Sequence, residues 1–350
     1  MDLSNNECLI VSVFVMDLFA HPCPYCTNND IHPHTSYSTQ GYGSRIILHC
    51  RRCDIYFSET FATPISGLKT PLSRIITILK ARSEGMSLNA TARVHQVSKK
   101  SVIDWERRLA DLKPTLILYS LVHEFIHQEI EGDELYTKVN QNKPPSDSQG
   151  WTIVLMERGS RFLWELHCGR KDRQLFEKAL HCLAQVIEQT ESLSLLTDGE
   201  RRYGNILFEI CHEVIRNGKP GRPLKRLRRG LRVRLKNKGA KKGRGRPRQK
   251  YQSPVPEHPE TAHEVKDKEI HANHLEAFNS SMRRRNSTFR RKTNTYAKSK
   301  QNLQRTLDVF WVVHNFIRVH FTTKVVPAVK LGIIKTRISW SQILTIRYAF

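Results

Sequence analysis

Hydrophobic positions along this chain recur first at helical spacing, then at strand spacing, then at helical spacing again. In residues 71–112, Leu72, Ile75, Ile76 and Leu79 line one face of a predicted helix, and Gly85 supplies a stop. Ser87 is placed to cap a second helix through Ala90 and Val94. Ser98 is placed to cap a third, in which Val102, Trp105 and Leu109 repeat at i, i+3, i+7. From Ile126 to Asn140 the pattern turns strand-like, and Trp151 to Met156 reads as a buried strand. Arg158-Gly-Ser-Arg161 predicts a two-residue hairpin turn, after which Phe162, Trp164 and Leu166 alternate on one face. Residues 171–189 return to helical period, with Phe176, Ala179, Leu183 and Val186 inward. A strand over 192–197 and a helix around Tyr203 to Cys211 follow. Three strands, helix, strand, helix predicts a mixed sheet covered by helices.

Further on, Leu275, Phe278 and Met282 form an apolar stripe, with Glu276, Asn279 and Arg283 as a polar stripe of the same spacing beside it. A helix through Leu303, Leu307, Phe310, Trp311, His314 and Ile317 reads as core, which makes Trp311 and His314 packing residues. Residues 323–350 read as a mildly apolar tail, expected to serve as a dimer contact.

Charge changes the picture. The 57 Lys and Arg outnumber the 33 Asp and Glu, for a formal net charge of +24. Such a balance points to a polyanionic partner, nucleic acid ahead of an acidic membrane surface. The apolar run Leu9–Ala20 is 12 residues long and contains Ser12 and Asp17, too short to span a bilayer. No Lys or Arg precedes it, so no secretory signal is read and an intracellular protein is expected. Residues 216–250 hold 17 Lys or Arg and no acid. Within them Gly221-Arg222-Pro223 and Arg244-Gly-Arg246-Pro-Arg248 have the form of AT-hook cores, which lie along a narrow minor groove. The plainer alternative is a flexible linker that neutralises phosphates. The alternating Gly230–Asn237 is a candidate short strand inside this tract.

Among eight cysteines, four are paired by spacing: Cys23-Pro-Tyr-Cys26 and Cys50-Arg-Arg-Cys53. Two such pairs close a tetrahedron of thiolates around structural Zn²⁺, and the segments around Tyr37 and Ser44–Leu48 fit strands of a zinc ribbon. His32 and His34 are alternative ligands, more often solvated in such a loop. Cys168, Cys182 and Cys211 read as inert buried thiols. The three helices, the last two capped by Ser87 and Ser98, have a helix-turn-helix layout, whose last helix opens with Lys99 and Lys100, where a recognition helix meets DNA.

The acids bear on chemistry. Asp133 lies on the first strand of the predicted sheet and Asp198 at the end of the fourth. If those strands are neighbours, the two carboxylates meet. They repel unless a cation lies between them, and an all-oxygen set suits Mg²⁺ or Mn²⁺. The helical stripe offers Glu276 as a third acid, with Asn279 and Arg283 aligned beside it. Glu131 and Glu134 rival Asp133, and Glu260, Glu264 and Glu269 rival Glu276.

The stretches "DELY", "LLTDG" and "HLEAFNSSMRRRNSTFRRKTNTYAKS" resemble the three acidic motifs of bacterial insertion-sequence DDE transposases, and the insertion-sequence-one family in particular. That family also carries a zinc ribbon and helix-turn-helix before its catalytic domain, so the resemblance spans about residues 20–320. Its compact members keep the second acid and the Glu close in sequence, whereas 78 positions separate Asp198 from Glu276 here, mostly through residues 216–261.

The resemblance implies a multidomain α+β chain. Residues 1–60 would form the zinc ribbon, 68–115 the helix-turn-helix, 122–215 and 262–322 an RNase H-like mixed α/β catalytic domain, 216–261 a basic insertion and 323–350 a C-terminal tail. It implies catalytic Asp133, Asp198, Glu276 and Asn279, with the three acids holding Mg²⁺ or Mn²⁺ for DNA cleavage and strand transfer. DNA contacts are expected from Lys99, Lys100, Arg222, Arg246, Arg283, Arg284 and Arg285. The implied partners are double-stranded DNA, at the terminal inverted repeats of the protein's own element, and further copies of the chain. No membrane partner is expected, and the location the resemblance implies is the bacterial cytoplasm, at the nucleoid. Two rivals stand beside this reading: a non-catalytic DNA-binding regulator, and a metal-dependent nuclease without joining activity.

Overall fold

The computed structural model describes residues 17–39, 43–141, 143–216, 218, 221–235, 255–256, 273–290 and 294–349. Cys8, Arg246, Glu260, Glu264, Glu269 and the second AT-hook-like stretch lie outside them. Near the N-terminus, β1 (Ile31–Thr39), β2 (Gly43–Cys50) and β3 (Ile55–Ser58) form an antiparallel three-stranded sheet. The four paired cysteines lie at its end.

The predicted helices follow at their predicted boundaries. They are α1 (Leu72–Ser83), α2 (Leu88–Val94) and α3 (Lys99–Ala110), continued by α4 (Lys113–Leu121). The Ser87 and Ser98 side chains accept from the backbone N–H of Ala90 and Ser101, as read from the sequence. Ile75, Ile78, Leu79, Val102, Trp105 and Leu109 bury the common face.

The second sheet has the order β11–β10–β7–β4–β5–β6. Strands β4 (Phe125–Tyr136), β5 (Trp151–Glu157) and β6 (Leu163–Gly169) form an antiparallel meander. Helix α5 (Arg173–Glu188) then crosses over to β7 (Thr190–Thr197), which pairs parallel with β4. After α6 (Arg202–Ile210) and a small hairpin of β8 (His212–Ile215) and β9 (Leu224–Leu227), β10 (Leu231–Leu235) joins parallel to β7. The two-residue β11 (Val255–Pro256) closes that side. The sheet thus takes a strand from the tract that reads as a basic insertion: Leu231, Val233 and also Arg234 are buried, with Arg232 half-buried between them.

The β5–β6 connection is longer than the predicted two-residue turn. The Glu157 carboxylate accepts from the N–H groups of Gly159 and Ser160, and Arg161 takes a left-handed conformation (φ 68°) before β6 begins. The local carboxylate satisfies the turn's donors, which a tight primed turn would have left to the strand ladder.

Helix α7 (Asn273–Arg285) and helix α8 (Lys300–Val312, continued by a π-turn over Val313–Ile317) complete the unit. Helix α8 runs along the open edge of β6. There Gln304 accepts from the Cys168 N–H and donates to the Leu166 carbonyl, while Asn315 exchanges both bonds with Leu163. Two side-chain amides thereby cover an edge that would otherwise invite another strand. Trp311 is fully buried and His314 nearly so, as expected of packing residues. Cys168, Cys182 and Cys211 are buried free thiols.

The C-terminal segment folds back within the same chain through α9 (Pro327–Lys330) and α10 (Trp340–Ile343). Ile343, Leu344 and Ile346 enter the main core, and the Tyr348 hydroxyl donates to the Arg108 carbonyl of α3. Its apolar residues, expected to meet another copy, are spent on an intramolecular strap. No helix among the described residues is long and apolar enough to cross a membrane.

Candidate metal centres and nucleic-acid interface

The Cys23, Cys26, Cys50 and Cys53 sulfurs all lie within 4.8 Å of one another. Cys23 and Cys53 are 3.5 Å apart, as are Cys26 and Cys50. A tetrahedral zinc ion with bonds of about 2.3 Å holds its sulfurs about 3.8 Å apart, so the four thiols could hold structural Zn²⁺. The two halves are built alike. The Thr27 N–H donates to the Cys23 carbonyl and the Asp54 N–H to the Cys50 carbonyl, each at 2.9 Å. Thr27 and Asp54 both adopt positive φ, 59° and 55°, to make those knuckles. The four sulfurs need no fifth donor; His32 pairs instead with Asp30.

The acids occupy the far end of the second sheet. The parallel register of β4 and β7 runs to Glu131 opposite Leu196, and Asp133 and Asp198 each follow two residues later. Gly132 leaves the space against which the Tyr203 ring packs, since a Cβ there would stand 3.3 Å from it. Strand alternation puts Asp133 on the opposite face. There the Asn279 side-chain amide of α7 donates to the Asp133 carboxylate at 2.8 Å, while the other Asp133 oxygen accepts the Glu134 N–H. Glu276 lies one turn before Asn279 on the same helix face and is exposed, as is Asp198.

The rival acids of the first motif are otherwise engaged. Glu131 is fully buried with Arg158 3.6 Å away. Glu134 is held by Lys171 at 2.7 Å. Burial raises the Glu134 pKa against the pull of Lys171, and the charge of Asp198 adds to the rise. Burial, with the negative charges of Glu134, Asp133 and Asp198 behind it, lifts the Tyr203 hydroxyl well above its ordinary value. One buried phenol thus senses acids from both strands.

Sequence reasoning missed Tyr203, Lys171 and Arg161, whose guanidinium reaches His274 at the start of α7. Gly132 beside an acidic motif was the available signal for the first.

Not every expected residue converges. Among the described residues, only the four cysteines form a group of three or more potential ligands within 4.8 Å of one another; Asp133, Asp198 and Glu276 do not close to that distance. Of the expected DNA contacts, Lys99 and Lys100 are exposed at the start of α3, and Arg222 and Arg284 are exposed elsewhere. Arg283 and Arg285 are half-buried, with Arg285 3.9 Å from Glu84 of the α1–α2 turn. Neither protein-family models nor curated proteins give a match to this chain.

Proposed function

We propose that this chain is the DDE-type transposase of a bacterial insertion sequence, binding the ends of its element and catalysing metal-dependent DNA cleavage and strand transfer. The observation that carries the reading is the Asn279–Asp133 hydrogen bond. It brings the Glu276 face of α7 to the β4 residue Asp133, level with the end of β7 that Asp198 follows. The sheet supports the reading: an antiparallel meander followed by two strands parallel to its first is what an RNase H-like domain would need.

Asp133, Asp198 and Glu276 are the residues to hold Mg²⁺ or Mn²⁺, an all-oxygen set on one strand, the residue after a second strand, and one helix. When bound, such ions supply Lewis acidity to the attacking and leaving oxygens. Asn279 orients the Asp133 carboxylate, and Lys171 keeps the neighbouring Glu134 from competing for the cation. The reaction class is phosphoryl transfer. Water opens the phosphodiester at the element end, and the freed 3′-hydroxyl then attacks a target phosphodiester. The exposed Lys99 and Lys100 on α3 and the zinc ribbon would recognise the ends.

One observation favours a second reading, a DNA-binding regulator with a degenerate site: the three acids stand farther apart than the thiols do. Incubation with the DNA flanking the chain's own gene, with and without Mg²⁺, separates them. Transposition predicts 3′-hydroxyl ends and joined product. Ends without joining indicate a nuclease, and binding without cleavage indicates the regulator.

A further inference from the structure

The tail that straps the molecule ends against the ribbon. Arg347 is 7 % exposed, and its guanidinium donates to the carbonyl of Pro22, the residue before Cys23. The guanidinium carbon lies 5.2 Å from the centre of the Phe57 ring, and Phe57 packs in one small cluster with Cys23 and Cys50. The Arg347 Nε and one terminal nitrogen are buried with no hydrogen-bond partner. An arginine keeps its charge at neutral pH. A buried cation with two unpartnered nitrogens is costly unless an anion compensates it. Four thiolates around one Zn²⁺ carry a net charge of −2 and supply that anion; four protonated thiols do not.

We propose that Arg347 is the counter-charge of the zinc thiolates, so that zinc occupancy locks the C-terminal strap onto the ribbon. The next two residues extend the lock. The Tyr348 N–H donates to the Ala62 carbonyl and its hydroxyl to the Arg108 carbonyl of α3, while the Ala349 N–H donates to the Thr115 hydroxyl of α4. Zinc binding at one end of the molecule is thereby tied to the seating of the helix that opens with Lys99 and Lys100. The inference stands on the thiol cluster and the strap, whatever reaction the acids support.

The test uses the full-length, zinc-loaded chain and a chromogenic chelator in competition. Arg347→Met, close in length and without charge, should hold zinc on the order of 10-fold or more weaker than the parent, the scale of outer-shell losses at metal sites. Arg347→Lys should fall between. On the unsubstituted chain, stripping zinc should speed amide exchange in residues 343–349. Equal zinc retention by Arg347→Met, a parent chain that binds no zinc, or exchange in 343–349 that ignores zinc would each overturn the proposal.

Discussion

The side-chain amide of Asn279 donates to the carboxylate of Asp133 at 2.8 Å, across 146 positions of sequence. The bond fixes both the rotation of α7 about its axis and the orientation of the carboxylate. Asn279→Ala removes the donor without adding charge, and Asn279 is buried whereas Lys99 and Lys100 of α3 are exposed. Metal-dependent cleavage should fall by about 10–100-fold while duplex affinity stays within a factor of about two. Gel-shift and cleavage assays on the same duplex measure the two effects.

Gly85 takes a positive φ of 95°, and a Cβ there would lie 2.9 Å from the Arg284 carbonyl and 3.1 Å from that of Arg285. The turn between α1 and α2 therefore abuts the last turn of the helix that carries Glu276 and Asn279. The Arg290 guanidinium, 3.1 Å from the same Cβ position, donates weakly to both the Gly85 and the Arg284 carbonyls. Gly85→Ala should cost about 1–3 kcal/mol from left-handed strain alone and should loosen α7. Urea unfolding gives the first quantity. Faster amide exchange over residues 273–290, with lysine-face DNA binding preserved, gives the second.

His314 is buried, with its Nε2 2.8 Å from the Arg161 carbonyl, and burial lowers its pKa to about 3. An unfolded histidine takes up a proton below about pH 6.5, and the folded one does not until about pH 3. Stability from this group is therefore fully present above pH 6.5 and is lost as pH falls through that window, by about 1.4 kcal/mol per unit. His314→Phe should make the urea midpoint less sensitive to pH between 7 and 5 than in the parent. It should also lower the midpoint at pH 7, through loss of the bond to Arg161.

Much of this arrangement is legible in the residues, and the exceptions have physical reasons. The three early helices carry apolar spacing, and α2 and α3 add the side-chain caps of Ser87 and Ser98, all local signals. The zinc knuckles follow from local spacing too, although the left-handed Thr27 and Asp54 are not residues that announce themselves as glycine would. Asn279 is visible as part of a stripe at i, i+3 from Glu276, but its partner is not, because nothing local to Asp133 names it. Strand β10 is legible as the alternating Gly230–Asn237, but its place beside β7 is not, because the charge of the surrounding tract suggests a solvated linker. The strap is hidden for another reason. Arg347 meets Pro22 across 325 positions, and a sparse apolar tail reads equally well as an interface with another molecule.

Isothermal titration of Mn²⁺ into the zinc-loaded chain, in the parent and in Asp133→Asn, Asp198→Asn and Glu276→Gln, tests the central claim most directly. The account predicts that the parent binds Mn²⁺ and that each substitution alone weakens binding on the order of 10-fold or more, because one site draws on all three carboxylates. Titrations that superimpose for the parent and all three variants would contradict it.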